Sequence, residues 1–124
     1  MKVLFVCTGN TCRSPMAAAM FRSLLAEAGK QGVEAASAGI SAYPGMPASS
    51  ESIRVMEERG IDIRDHRSRL LTPDLIGGAG LILCMSRRHL RAVRALGAGD
   101  KAHLLAGYAA GDSAELQDPF GMGL

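Results

Sequence analysis

The sequence predicts an α/β protein, a parallel sheet with helices on both faces. Three observations predict it. Short apolar runs, at 3–6 and 81–85, alternate with longer segments whose apolar residues recur at helical spacing. The longer segments carry Ser, Thr or Pro at their entries and Gly at their exits, the usual punctuation of helices. No linker, repeat or low-complexity tract divides the chain, so one domain over residues 1–124 is expected. Strands that alternate with helices make βαβ units, and these bury a parallel sheet between two helical layers. In such a sheet a ligand sits beyond the carboxyl ends of the strands, where strand order switches.

Residues 2–6 form the first strand, and Val3, Leu4, Phe5 and Val6 suit burial on both faces. The loop 7–14 follows. Ser14 can cap the next helix, with Pro15 at its first position, where a missing N–H costs nothing. Met16, Met20, Phe21, Leu24, Leu25 and Ala28 then repeat at helical spacing, and Gly29 ends the run. Residues 33–38 read as a second, Ala-rich strand. Two prolines and two glycines make 39–47 a loop. The helix expected over 48–59 carries Ile53, Val55 and Met56 and stops at Gly60. Residues 61–71 are rich in arginine and read as loop. Thr72 and Pro73 look like the cap and first residue of a short helix ending by Gly77 and Gly78. Residues 81–85 are a fully apolar third strand. Ser86 can cap a helix running to Leu96. Residues 101–105 read as a fourth strand, and everything from Ala106 onward as loop.

The apolar content of 48% is ample for a core, but aromatics are only 4%, so aliphatic and Ala packing must dominate. A net charge of +2 is too small to argue for nucleic acid. No apolar run approaches the roughly 20 residues of a membrane span. The start is too short for a signal peptide and runs straight into Cys7. A cytoplasmic protein without membrane attachment is expected. Three cysteines cannot all pair within the chain, and His66, His89 and His103 are scattered, so no metal site is expected and no cofactor is implied.

The stretch Cys7-Thr8-Gly9-Asn10-Thr11-Cys12-Arg13-Ser14-Pro15 organises the chain. As a strand-to-helix loop it can curl so that its N–H groups point inward at an anion. Cys7 would lie at the floor and Arg13 would close the cradle. A thiolate there could attack phosphorus and form a phosphocysteine. Arg13 could grip two phosphate oxygens through its planar fork. A cation beside a helix start is misplaced against the dipole, which favours an anion-binding role. Gly9 and Asn10 tolerate the positive φ that an inward-turned loop needs. Cys12, close to Cys7, could form a protective disulfide with it under oxidant, or be a small packing residue. The bland reading of Cys7 is a small buried residue at a strand end.

This loop resembles the signature of the low-molecular-weight protein tyrosine phosphatase family. The resemblance extends to Ser37-Ala38-Gly39, Asp65-His66-Arg67, the strand at 81–83 and Asp118-Pro119-Phe120, and so covers essentially the whole chain. It implies a three-layer, flavodoxin-like fold with four parallel strands in the order 2-1-3-4. It implies Cys7 as nucleophile, Arg13 as phosphate clamp and Asp118 as general acid. From local sequence alone, Asp112 and Glu115 are equal contenders for that last role. It implies that Thr8, Gly9, Asn10, Thr11, Cys12, Ser14 and Phe120 line the substrate site, with Ser14 donating to the Cys7 thiolate. The expected ligands are a phosphorylated protein and, in the loop, inorganic phosphate or a similar oxyanion. His66 is expected to hydrogen-bond structurally.

Thr11 bears on the substrate. Relatives that act on phosphotyrosine resemble one another in a bulky aliphatic residue here, while those resembling protein-arginine phosphatases carry Thr. A polar, slightly smaller lining suits a guanidinium. Phe120 agrees, since tyrosine-specific relatives often show Tyr there. Phosphoarginine in proteins is therefore the expected substrate, with phosphotyrosine the alternative. Thioredoxin-coupled arsenate reductases share the loop but need two further cysteines, and no cysteine follows Cys84, which reads as core. A non-catalytic phosphate-binding module is the remaining alternative, although mere binding does not need the thiol. The arginines Arg87, Arg88, Arg91 and Arg94 make one helix side that is either solvated or docks an acidic partner. Two departures from the family stand out. Gly80 replaces an Asp before the third strand. The sequence also stops at Leu124, where relatives carry a further C-terminal helix, so one sheet face is expected to be exposed. The sequence assigns no oligomeric state.

Overall fold

The structure, a computed structural model, describes residues 1–106. Its elements, in order, are Lys2–Cys7 (β1), Arg13–Glu27 (α1), Glu34–Gly39 (β2), Ser50–Glu58 (α2), Pro73–Gly78 (α3), Leu81–Cys84 (β3), Arg87–Ala95 (α4) and Ala102–Leu104 (β4). The strands form one sheet in the order β2-β1-β3-β4, and every pairing is parallel, as expected. The strand that follows β1 lies on one side of it and β3 on the other. The order therefore switches at β1, and the cleft past its carboxyl end is where such a sheet receives a ligand.

Burial of β1 on both faces explains why its apolar run is continuous. Val3 and Phe5 face α1 and pack with Ala17, Ala18 and Leu83. Phe5 and Phe21 meet edge to face, with centroids 5.8 Å apart. Leu4 and Val6 face the other way, against Ile76, Ile82 and Val93. A third cluster, with Met16, Ala19, Val55, Met56 and Ile63, joins α1 to α2. Small residues at Ala17 and Ala18 let α1 lie close to the sheet. Among the described residues the α1 face is only partly covered. An apolar groove of about 690 Å³ runs there, lined by Phe5, Phe21, Leu24, Leu83 and Leu105.

Thr72 and Ser86 cap α3 and α4 as expected, accepting from the N–H groups of Leu75 and His89. Several boundaries shift by a residue or two. The fourth strand is shorter than 101–105, because Lys101 closes a 3-10 turn and donates its ammonium to the carbonyls of Ile76 and Ala79 at 2.5 and 2.8 Å. The backbone is already helical at Leu105 and Ala106, so Ala106 does not begin a loop. A Cβ at Gly80 would come within 2.5 Å of Cγ of Met1, an exposed and flexible side chain. No helix among the described residues is long and apolar enough to cross a membrane.

Candidate active site

Cys7 closes β1 and is 3% exposed. Two donors converge on its sulfur. The Asn10 N–H donates to Sγ at 3.2 Å, and Ser14 Oγ lies 2.8 Å away. Asn10 Nδ2 donates to the same Ser14 oxygen at 2.9 Å, which leaves the single Ser14 proton for the sulfur. The loop therefore curls around the thiol as its spacing suggested.

Asn10 holds the curl. It is wholly buried, and its φ of 57° makes it the one non-glycine residue at positive φ among those described. Its Oδ1 accepts the Arg69 N–H at 2.9 Å, which fixes which way the amide points. Its carbonyl accepts from His66 Nε2 at 2.6 Å, the structural bond expected of that histidine. Two expectations are corrected here. Gly9 does not use positive φ, and a Cβ on it would meet only Thr11 Oγ1 at 3.7 Å. Ser14 does not cap α1. The helix starts at Arg13, with Cys12 in the cap position and no side-chain cap bond, because the Ser14 hydroxyl is engaged by Cys7 and Asn10.

An uncapped start leaves the first N–H groups of α1 without an intrahelical acceptor, at the end of the helix where its dipole is positive. An anion is their natural partner. Arg13 stands at this start, half-buried, and its side chain has no hydrogen-bond or ion-pair partner among the described residues. The surroundings are basic. Burial lowers the pKa of His66, the bond to the Asn10 carbonyl opposes this, and Arg22, Arg69 and Arg67 lower it further.

Segments distant in sequence hold the loop from behind. The carbonyls of Cys7 and Thr8 accept from Ile40 and Ser41 at 2.9 and 3.0 Å. Gly39 permits this approach, since a Cβ there would lie 2.4 Å from the Thr8 oxygen and 3.0 Å from the Asn10 nitrogen. Ser68 ties the chain after Gly39 to that after His66, donating to the Tyr43 carbonyl at 2.5 Å and accepting from the Met46 N–H at 2.9 Å. Thr8 Oγ1 lies 2.8 Å from Nε2 of His89, whose Nδ1 is 3.0 Å from Ser86 Oγ. Thr11 offers its carbonyl to the Ser49 N–H at 2.8 Å. Cys12 Sγ is 3.2 Å from Ser49 Oγ, and all three cysteines are free thiols. Cys84 is core, and burial pushes its thiol pKa up to about 12, against a small lowering by Arg94. Arg87, Arg88 and Arg91 are exposed on α4, while Arg94 reaches the Ala102 carbonyl at 3.3 Å.

The structure thus brings together Cys7, Thr8, Gly9, Asn10, Thr11, Cys12, Arg13 and Ser14. Asp118 and Phe120, with Asp112 and Glu115, lie outside the described residues. Local sequence reasoning missed Gly39, Ser49, Ser68, Arg69 and His89, and read Ser86 as a helix cap alone. Only the Ser86–His89 spacing carried a signal, that of a helix cap with its third-position partner. No group of side chains among the described residues could hold a metal ion. The arrangement can bind a tetrahedral oxyanion and present a thiol to its central atom.

Comparison with known proteins gives a consistent picture. Residues 2–124 match the family model for low molecular weight phosphotyrosine protein phosphatase. A probable low molecular weight protein-tyrosine-phosphatase, EpsP of Ralstonia solanacearum, is 45% identical over 93 residues, 75% of this chain and 61% of that protein. The chain therefore spans less than two thirds of that relative. A protein-arginine-phosphatase of Bacillus subtilis is 38% identical over 98% of this chain and 81% of its own length. The crystal structure of a YwlE mutant from Bacillus subtilis superposes with a TM-score of 0.90 at 36% identity, covering 98% of this chain and 82% of that one.

Proposed function

The chain belongs to the low molecular weight phosphotyrosine protein phosphatase family, and on that premise we propose that it is a cysteine-dependent protein phosphatase acting on phosphoarginine. The observation that carries this reading is the pair of donors on Cys7 Sγ, the Asn10 N–H and the Ser14 hydroxyl, at the floor of a loop that ends in Arg13. A phosphate-binding module has no need of a sulfur so placed.

The reaction has two steps. In the first, the Cys7 thiolate attacks phosphorus, an S–P bond forms and the P–N bond to the arginine breaks. The Arg13 fork and the loop N–H groups other than that of Asn10, which donates to Cys7 Sγ, hold the equatorial oxygens, where negative charge concentrates. The Asp118 carboxyl gives its proton to the departing guanidine nitrogen. In the second step the Asp118 carboxylate takes a proton from water, and the water oxygen attacks phosphorus. The S–P bond breaks, orthophosphate leaves, and the Ser14 proton stabilises the returning thiolate. Phe120 walls the pocket. Thr11 gives that wall a polar face suited to a guanidinium, and the protein-arginine-phosphatase similarity along 98% of the chain supports the same choice. The same reading makes residues 1–124 one cytoplasmic domain that takes phosphorylated proteins as substrates.

The test is phosphate release from phosphoarginine and phosphotyrosine peptides side by side, with Cys7→Ser and Thr11→Ile. Preference for phosphoarginine that swings toward phosphotyrosine in Thr11→Ile is the expected result. Equal or greater turnover of phosphotyrosine by the unaltered protein would leave a protein-tyrosine phosphatase, the activity in the EpsP name. Turnover that survives Cys7→Ser would sink the mechanism.

A further inference from the structure

We propose that Arg88 and Arg91 on α4 form a docking strip for an acidic stretch of the protein substrate, beside the pocket that takes its phosphorylated residue. The inference rests on the protein phosphatase reading and deepens it. Residues 86–97 hold four arginines and no Asp or Glu, a net charge of +4 in a chain of net +2, so the remaining sequence is net −2. The positive charge of the chain is therefore gathered on one short helix. Arg88 and Arg91 are exposed there and have no hydrogen-bond or ion-pair partner among the described residues. Arg94, by contrast, is drawn to the Ala102 carbonyl. Nor does the helix itself call for the charge. The first turn of α4 has no acidic residue, and Arg88 stands in it, where the dipole disfavours a cation.

The helix is placed to use these side chains on a substrate. β3 runs beside β1 with Cys84 opposite Val6, and the Met85 N–H donates to the Val6 carbonyl at 3.0 Å. So α4 begins at the end of the sheet where Cys7 sits. His89, between the two arginines in sequence, turns inward, and its Nε2 lies 2.8 Å from Oγ1 of Thr8, the residue after the nucleophile. Arg88 and Arg91 lie on the exposed side of the same turn. Three residues apart on a helix, their Cβ atoms stand about 5–6 Å apart. Alternate side chains of an extended peptide stand about 6–7 Å apart on one face, so two such carboxylates match the pair. The other side of the pocket differs. Residues 39–49, whose Ile40 and Ser41 N–H groups bond the Cys7 and Thr8 carbonyls, carry no charged side chain. Beyond them Arg67 and Arg69 donate to backbone carbonyls. An acidic flank therefore gains on one side of the phosphorylated residue only. A long polyanion would run past the strip onto a protein that is otherwise net negative, which favours a short acidic segment over nucleic acid.

The test is kcat/KM of the full chain for phosphopeptides with two Glu or two Gln at alternate positions, on the amino or the carboxyl side of the phosphorylated residue. Phosphoarginine and phosphotyrosine series are both run, because the strip reads the flank. The Glu-over-Gln ratio should be about threefold or more on one side alone, the worth of two exposed ion pairs. It should arise in KM, since a flank is bound alike before and during the chemical step, and shrink in about 0.5 M salt. Arg88→Gln with Arg91→Gln should bring it to about one, and Arg88→Lys with Arg91→Lys should keep it. A ratio taken within one protein does not respond to a general loss of activity. No preference, an equal preference on both sides, or one that survives the two Gln changes overturns the inference. So does inhibition by duplex DNA without a flank preference, which would make the strip a nucleic-acid surface. If phosphotyrosine is turned over faster, the phosphoarginine reading fails while the flank ratio still decides this one. If neither series releases phosphate, the phosphatase reading fails and takes this inference with it.

Discussion

Replacing Asn10 by alanine removes the residue on which the loop turns, and the structure allows the cost to be worked out. The Nδ2 bond to Ser14 and the Arg69 bond to Oδ1 are both lost, in a site with no solvent exposure at Asn10. The first is worth about 1 kcal/mol net, and an orphaned Arg69 N–H costs about 1–3 kcal/mol more. A φ of 57° adds about 1 kcal/mol for Ala, which lacks the local polar bonding that lets Asn adopt it. The sum is about 3–5 kcal/mol, near the top of the range for single substitutions. Urea unfolding monitored by circular dichroism reads it as a lower midpoint at constant m. The loss of Ser14 orientation should also lower kcat about 100-fold, as an ångström of misplacement does. A double-mutant cycle sharpens the test. Asn10 and Ser14 share one bond, so Asn10→Ala with Ser14→Ala should cost less than the two single changes added, by at least about 0.5 kcal/mol. A cost for Asn10→Ala under about 1.5 kcal/mol, or strict additivity in the cycle, would refute the claim that this side chain holds the loop.

Gly39→Ala should destabilise by about 2 kcal/mol or more, because the new Cβ meets backbone at 2.4 Å and no side chain can move aside; Gly9→Ala should unfold like the unaltered protein, since its Cβ has room. Thermal melts of the pair check both. His66 is the third case. Its pKa is lowered in the folded chain from 6.5, so the unfolded chain binds more protons just below that pH. Stability should therefore drop as pH falls below about 6.5 and be unaffected by this group above it. His66→Gln keeps a donor toward the Asn10 carbonyl and should flatten the difference between melts at pH 5 and pH 7. Cys84, with its thiol pushed up to about 12 mainly by burial, should resist iodoacetamide at pH 8.5 in the folded protein and react after urea is added. Peptide mapping by mass spectrometry separates it from Cys12, which is partly exposed.

What could be read along the chain was what short segments decide for themselves. The apolar run of β1 and the caps at Thr72 and Ser86 all rest on neighbours within four residues. The strand order came from resemblance and not from periodicity. Ser14 shows where local reading fails. Ser followed by Pro is a sound helix entry, yet the hydroxyl is drawn to Cys7 and Asn10, and the helix begins before it with no side-chain cap. Gly9 fails for a related reason. A loop of this shape needs one residue at positive φ, and Asn10 takes that place because its side chain can also bond Ser14 and Arg69. The supports from Gly39, Arg69 and His89 were out of reach, as was the acceptor of the bond expected of His66, since each meets the loop from about 30 or more residues away. Their common effect explains the design of the site. Apart from the Asn10 N–H on Cys7 Sγ, the loop is held through its carbonyls and side chains. The carbonyls of Cys7, Thr8, Asn10 and Thr11 are all engaged, while α1 begins uncapped. Stability is drawn mainly from the carbonyl side of the peptide backbone, which on the phosphatase reading leaves the N–H side for the phosphate.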